Sequence, residues 1–239
     1  MIEPFLRKLR VRDDLSAQEE AALRDALGQR RSVPAHRVII RAGETVREST
    51  LLLAGWTARA KDLESGERQI TEVNVVGDFV DLHSLTLKTL DHDVVALTNC
   101  ELVVVPHEKL EEITVKFPHL TRLLWLATNL DAAIHREWML SMGRRTALAR
   151  VAHLFCELLV RLQIAGAADE DSYDFPLTQL QLGDCLGLTS VHVNRTLQEL
   201  RKNGLIELRS KRLRILDLAG LQRIAQFDPT YLYLNKLPR

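Results

Sequence analysis

Apolar residues follow two different periods along this chain, and the changes of period mark its parts. Residues 3–9 and 15–28 carry them three to four apart, which predicts two short helices. The second opens on Ser16-Ala17-Gln18-Glu19, a capping-box pattern, and runs to Gly28 with Leu15, Leu23 and Leu27 on its buried face. From Val33 to about Pro106 they come instead in short β-forming bursts at 38–40, 51–53, 73–76, 94–97 and 102–105. Gly43, Gly55, Gly66 and Gly77 punctuate the bursts at intervals of 12, 11 and 11 residues, regular turns that predict an antiparallel roll or sandwich.

The helical period then returns. Residues 107–117 predict a short helix, stopped by Pro118, and a long one runs from about His119 to Met142. Leu120, Leu124, Ala127, Leu130, Ile134, Trp138 and Ser141 form a narrow stripe along it. Such a stripe predicts a coiled-coil seam, with a core helix laid against the roll as the alternative. Gly143 is a candidate hinge, and residues 144–162 form a further amphipathic helix through Leu148, Val151, Ala152, Phe155, Leu158 and Leu159. The small, acidic piece from Gln163 to Tyr173 predicts a surface loop.

The stretch from Leu177 to Ile206 is the most informative. Thr178 caps a helix carrying Leu180, Leu182 and Leu186; Gly187 suits a tight turn at positive φ; Thr189 caps a second helix with Val193, Leu197 and Leu200 on one face; Gly204 ends it. Two short helices joined by a glycine turn predict a helix-turn-helix. Ile206, Leu208, Leu213 and Ile215 then bracket a polar turn at 209–212, a hairpin with a basic tip. Asp217 can cap a last short helix, and the tail from Phe227 carries no pattern.

Charge sharpens the picture. The chain of 239 residues has zero formal net charge. Residues 1–142 hold 18 basic and 22 acidic residues, whereas residues 143–239 hold 14 and 10. Between Thr189 and Arg214 seven basic residues face only Glu199 and Glu207, a local excess suited to phosphates. The second helix opens with Ser190, Val191, His192, Asn194 and Arg195, polar or short side chains able to approach base edges in a major groove.

The run T-x-x-x-L-x-x-x-L-G-L-T-x-x-x-V-N-R-x-L-x-x-L-R-x-x-G-L-I, from Thr178 to Ile206, resembles the DNA-binding domain of the Crp/Fnr family of bacterial transcription regulators. Ala42-Gly43-Glu44, Ala54-Gly55-Trp56 and Gly77-Asp78-Phe79 resemble that family's cyclic-nucleotide-binding-like roll. The resemblance implies an α+β chain in three parts: an N-terminal effector-sensing antiparallel β-roll (1–118), a dimerisation helix (119–142) and a winged helix-turn-helix (143–239). It implies a homodimer on double-stranded inverted-repeat DNA, with RNA polymerase as a partner if the protein activates. The expected DNA contacts are Thr178, Gln179, Thr189, Ser190, Val191, His192, Asn194, Arg195, Lys211 and Arg212. The expected dimer contacts are Leu120, Leu124, Ala127, Leu130, Ile134 and Trp138. Asp81, His83 and His92 are candidates for the effector pocket.

The departures from the family pattern bear on the effector. Cyclic-nucleotide-binding members resemble G-E-L-G-L followed by R-S or R-T; here Phe79 to Leu85 and Asp91-His92-Asp93 stand there, with no Arg, and nearby carboxylates repel a phosphate. No cysteine precedes Cys100, so an iron–sulfur centre of the Fnr type lacks its ligands. His83 stands where the carbon-monoxide-sensing member has a haem ligand, with Asp81 where a thiolate is expected, which leaves a haem-based sensor as an alternative reading. A metal enzyme resembling cupins would need converging histidines and a glutamate, and no such motif is visible. No cofactor, metal or catalytic residue is therefore expected, only an unidentified small-molecule effector. Cys185 is expected to be a small packing residue. Sparse cysteines and the lack of a signal peptide or long apolar run predict a cytoplasmic protein with no membrane association.

Overall fold

The structure, a computed structural model, describes residues 1–238. Helix α1 (Glu3–Arg10) and helix α2 (Ala17–Asp25) lead the chain. Ser16 caps α2 as expected: its hydroxyl accepts from the Glu19 N–H, and the Glu19 carboxylate accepts from the Ser16 N–H at 2.9 Å. The helix is shorter than its pattern, beginning at Ala17 and ending at Asp25.

Strands β1 (Arg30–Val33), β2 (Val38–Ile40), β3 (Glu48–Ala54), β4 (Thr57–Asp62), β5 (Arg68–Asn74), β6 (Asp93–Ala96) and β7 (Cys100–Pro106) follow, with the single-turn helix α3 (Ser84–Leu87) before β6. They pair antiparallel into two sheets, ordered β1-β7-β3 and β2-β6-β4-β5. Ile40, Leu52, Val80, Val94, Cys100 and Leu102 fill one hydrophobic cluster of this roll. Gly55 has φ +89°, and a Cβ there would lie 2.4 Å from the Asn99 carbonyl, so this turn admits only glycine without rearrangement.

Helix α4 (His107–Lys116) precedes the long helix α5 (Pro118–Arg144). The structure corrects the reading of α5. Leu120, Leu124, Ile134 and Trp138 are at most 6 % exposed within their own chain, with Ala127 and Leu130 half-buried beside them. That stripe attaches the helix to its own protomer through Leu120, Leu124, Ile134 and Trp138. Gly143 is not the break either: the helix runs through it to Arg144, and Arg145 turns extended at φ −79°, ψ 148°. Glycine costs helix stability but does not by itself end a helix that tertiary packing supports.

Helix α6 (Ala147–Ala165), capped by Thr146, is the central element of the C-terminal half. Strand β8 (Ser172–Asp174) corrects the expected loop. It pairs with strand β10 (Arg212–Ile215), which also pairs with strand β9 (Ile206–Arg209). Tyr173 drives this: its ring is buried and its hydroxyl donates to the Phe155 carbonyl at 2.9 Å. Helices α7 (Gln179–Leu186), α8 (Ser190–Lys202) and α9 (Leu218–Ala225) and a 3₁₀ turn (Pro229–Leu232) complete the chain.

The roll and the C-terminal half share one hydrophobic cluster. It runs from Ala58, Ile70 and Val95 through Phe155 and Leu158 of α6 to Leu197 and Leu213. Gln69 on β5 donates to the Asp184 carbonyl of α7 at 2.7 Å, and Arg161 on α6 donates to the Val73 carbonyl at 2.8 Å.

Candidate nucleic-acid interface

Helix α7 begins at a complete capping box. The Thr178 hydroxyl accepts from the Gln181 N–H, and the Gln181 side chain accepts from the Thr178 N–H at 2.9 Å. Gly187 ends the helix at φ 62°, ψ 42°, and Thr189 caps α8 by accepting from the His192 N–H. Val193, Thr196, Leu197 and Leu200 face the core, which turns the remaining positions of α8 outward. Leu180, one of the three leucines the helix carries, is exposed.

One residue of this turn escapes pattern reading. Gly183 lies inside α7, and a Cβ there would sit 2.4 Å from the Leu188 carbonyl oxygen. The Leu188 N–H also donates to the Gly183 carbonyl at 3.1 Å. The two helices therefore close on each other only because position 183 lacks a side chain. A helix-interior glycine six residues before the cap of the second helix is the available signal.

Thr178, Gln179, Thr189, Ser190, Val191, His192, Asn194 and Arg195 are all exposed. The Asn194 amide lies 3.4 Å from the Gln179 side chain, so the start of α7 and the second turn of α8 form one polar surface. Val191 is 77 % exposed, an apolar methyl pair offered to solvent amid polar neighbours. The wing turns at Ser210 (φ 48°) and Lys211 (φ 60°), a two-residue turn with both central residues left-handed. Lys211 is exposed at its tip. Arg212 is exposed too, but its guanidinium is held by Asp169 and Asp174 and by the Ser172 hydroxyl at 3.0 Å.

A second candidate site lies between the roll and α5. An open cleft of about 360 Å³ is lined by Arg59, Lys61, His83, His92, Asp131 and His135, among others. Each cation in it already has a carboxylate: Arg59 pairs with Glu72 at 2.6 Å and Asp131 at 2.8 Å, and Lys61 with Asp91 at 2.8 Å. His92 Nδ1 lies 2.9 Å from Asp91, and the His83 and His92 rings are 5.3 Å apart. Burial, helped by the Arg59 charge, lowers the His83 pKa to about 3, so the ring is neutral. Burial likewise raises the Asp131 carboxyl to about 7, with Glu72 adding to the rise.

Asp81 does not join His83 and His92 there. It is fully buried and accepts from the Thr50 N–H, and desolvation raises it to about 7. It caps the core of the roll, so it can supply neither an effector contact in the cleft nor a second haem ligand beside His83. Cys185 is enclosed in the helix-turn-helix core, where burial pushes its thiol up. Among the described residues, no three His, Cys, Asp or Glu side chains are grouped to hold a metal. No helix there is long and apolar enough to cross a membrane.

Comparison with known proteins covers both halves. The family model for the cyclic nucleotide-binding domain matches residues 30–116, and that for the Crp-like helix-turn-helix domain matches residues 149–224. The transcriptional activator protein FnrL of Cereibacter sphaeroides is 31 % identical over 214 residues, 84 % of this chain and 85 % of that protein. A probable transcriptional activator of Rhizobium leguminosarum bv. viciae is 33 % identical over 198 residues, 82 % of this chain and 80 % of that protein. The solved structure of FixK2 from Bradyrhizobium japonicum superposes with a TM-score of 0.74 at 23 % identity, covering 82 % of this chain and 96 % of that one.

Proposed function

The chain belongs to the Crp/Fnr family of transcription regulators, and from that premise we propose that it is a cytoplasmic homodimer that binds an inverted-repeat operator and is switched by an effector in the cleft beside α5. It acts by binding, without an enzymatic step. The observation that carries the reading is the exposed polar surface made by the start of α7 and the outward face of α8, followed in the chain by an exposed wing tip. Arg195 is expected to grip a guanine in each half-site, Val191 to pack on a thymine methyl, and Asn194 to pair with adenine. Members reading a G·C pair beside that guanine carry a glutamate where Val191 stands, so this operator is expected to depart from the TGTGA and TTGAT types.

We place the dimer seam on the other, exposed face of α5. Beside the buried stripe, Thr121, Trp125, Thr128, Ala132, His135, Met139 and Met142 are all partly or largely exposed. They recur at alternating steps of four and three, the spacing of a coiled-coil seam. His135 belongs to this stripe, lines the cleft, and lies 2.9 Å from Glu72 of the roll. A ligand there would touch both the roll and the seam, biasing how two α5 helices pair and hence how the readers are spaced.

The effector is not cyclic AMP on this account: the cations of the cleft are already paired and the Asp91 carboxylate would oppose a phosphate. Native mass spectrometry of the purified protein tests the reading. It should show a dimer that forms no complex with added cyclic AMP, whereas a monomer at all concentrations would remove the dimer from the account.

A further inference from the structure

We propose that Asp169, Asp171 and Asp174 form an acidic ledge that competes with DNA phosphates for Arg212 and Arg214 and so restrains sequence-independent binding. This rests on the DNA-binding reading above. Leu213 and Ile215 point into the core, which turns Arg212 and Arg214 outward on the central strand of the sheet β8-β10-β9. The neighbouring strand β8 and the loop before it place an acid beside each. Arg212 stands opposite Asp174 in the β8–β10 register, 3.1 Å away in the side chains, and Asp169 holds its other nitrogen. Arg214 Nε donates to Asp171 at 2.9 Å.

The ledge is built into the backbone. The Asp169 N–H donates to the Ser172 carbonyl and the Ile215 N–H to the Asp171 carbonyl, each at 2.8 Å. Gln163 on α6 donates to the Glu170 carbonyl at 3.0 Å. The buried Tyr173 fixes the strand between these acids. The carboxylates are thus presented at the wing by the fold itself.

Exposed ion pairs contribute little to stability. Their consequence for DNA is different in kind. An arginine binds a phosphate by displacing condensed counterions, and each such contact steepens the salt dependence of binding. An arginine that must first leave a carboxylate gains less, and the freed carboxylate then repels the backbone. Arg201 is further engaged with the Leu208 carbonyl, and Arg209 pairs with Glu207 at 2.9 Å. Among the described cations of the second helix and the wing, Lys202 and Lys211 make no ion pair and stay available to phosphates, while Arg195 is kept for a base. Binding then depends more on the correct sequence and less on bulk charge.

The test is fluorescence anisotropy on a short mixed-sequence duplex over a salt series. It compares the full-length wild type, the triple variant Asp169→Asn, Asp171→Asn, Asp174→Asn, and Glu170→Gln. Glu170 carries the same charge in the same loop but makes no arginine pair among the described residues. Two arginines released to phosphates should steepen the log–log salt slope by about 2 and tighten low-salt binding about tenfold. Glu170→Gln should leave the slope unchanged. Adding Arg212→Ala and Arg214→Ala should erase the gain in the triple variant but change the wild type little. Should the triple variant misfold by circular dichroism, Asp171→Asn alone frees Arg214 and should give about half the change in slope. A wild-type slope in a folded ledge variant overturns the proposal, as does an equal cost of the arginine changes in both backgrounds. A wild type that binds no duplex even at low salt overturns the DNA-binding reading as well.

Discussion

Trp125 lies on the outer face of α5, 66 % exposed in the single chain, and Trp125→Ala separates the two stripes of that helix. An indole side chain presents about 200 Å², so pairing would remove roughly 130 Å² from water in each protomer. At about 25 cal/mol per Å² that is about 3 kcal/mol per protomer and about 6 for a symmetric pair. Alanine retains some contact, so a loss of about 3–5 kcal/mol is expected, two to four decades in the dimer dissociation constant. The folded protomer should be barely affected, because most of the ring lies outside its core. Leu124→Ala, at the adjacent position, is the comparison. Leu124 is 5 % exposed and packs in the cluster that holds α5 to α1 and the roll. Its truncation should cost about 2–5 kcal/mol of protomer stability and leave the association constant nearer the wild-type value. Sedimentation equilibrium over a concentration series, with thermal unfolding of each variant, reads both quantities. A Trp125→Ala protein that associates like the wild type would refute the reassigned seam. A Leu124→Ala protein that is monomeric yet fully stable would restore the original stripe.

Three further outcomes are expected. Arg195→Ala should cost about 1–3 kcal/mol of operator binding and relax preference at one guanine, whereas Lys211→Ala should weaken all sequences alike, both readable by competition binding. Gly183→Ala should destabilise the protein by about 1–3 kcal/mol, because the added methyl meets the Leu188 carbonyl at the helix turn; unchanged thermal unfolding would show that the turn can open. His153 is 1 % exposed, and burial, aided by Arg145, holds its pKa at about 3, below the ordinary value of 6.5. The unfolded chain therefore takes up a proton that the folded one refuses: this contribution is complete above pH 6.5 and is lost as pH falls toward 3, at up to about 1.4 kcal/mol per pH unit. His153→Phe, which can keep the packing on Phe227 and Tyr231, should flatten the stability profile between pH 6 and pH 4 by about that slope. A profile parallel to the wild type would place the acid sensitivity elsewhere.

The parts of this molecule governed by local rules were legible in the sequence. Ser16, Thr178 and Thr189 announce their helices because a capping side chain acts within three residues of itself. Gly187 announces the reader turn because it needs a left-handed residue. Properties set by distant partners were not legible. The stripe from Leu120 to Trp138 is apolar whether it faces a second copy or its own roll, and only the position of the roll decides. Asp81 reads as a polar residue in a pocket motif, yet its carboxyl turns inward to Thr50. Arg212 reads as a phosphate contact until β8, hidden in a stretch with the composition of a loop, brings Asp174 beside it. Pattern reports the kind of surface a residue wants, and tertiary packing chooses which surface it receives.

Selection from a random DNA library tests the central claim most directly. The account predicts enrichment of an inverted repeat whose half-sites each keep one guanine, with centres about 34–36 Å apart, one turn of the duplex. Sequencing that showed no enriched motif, or a plain TGTGA palindrome, would contradict it.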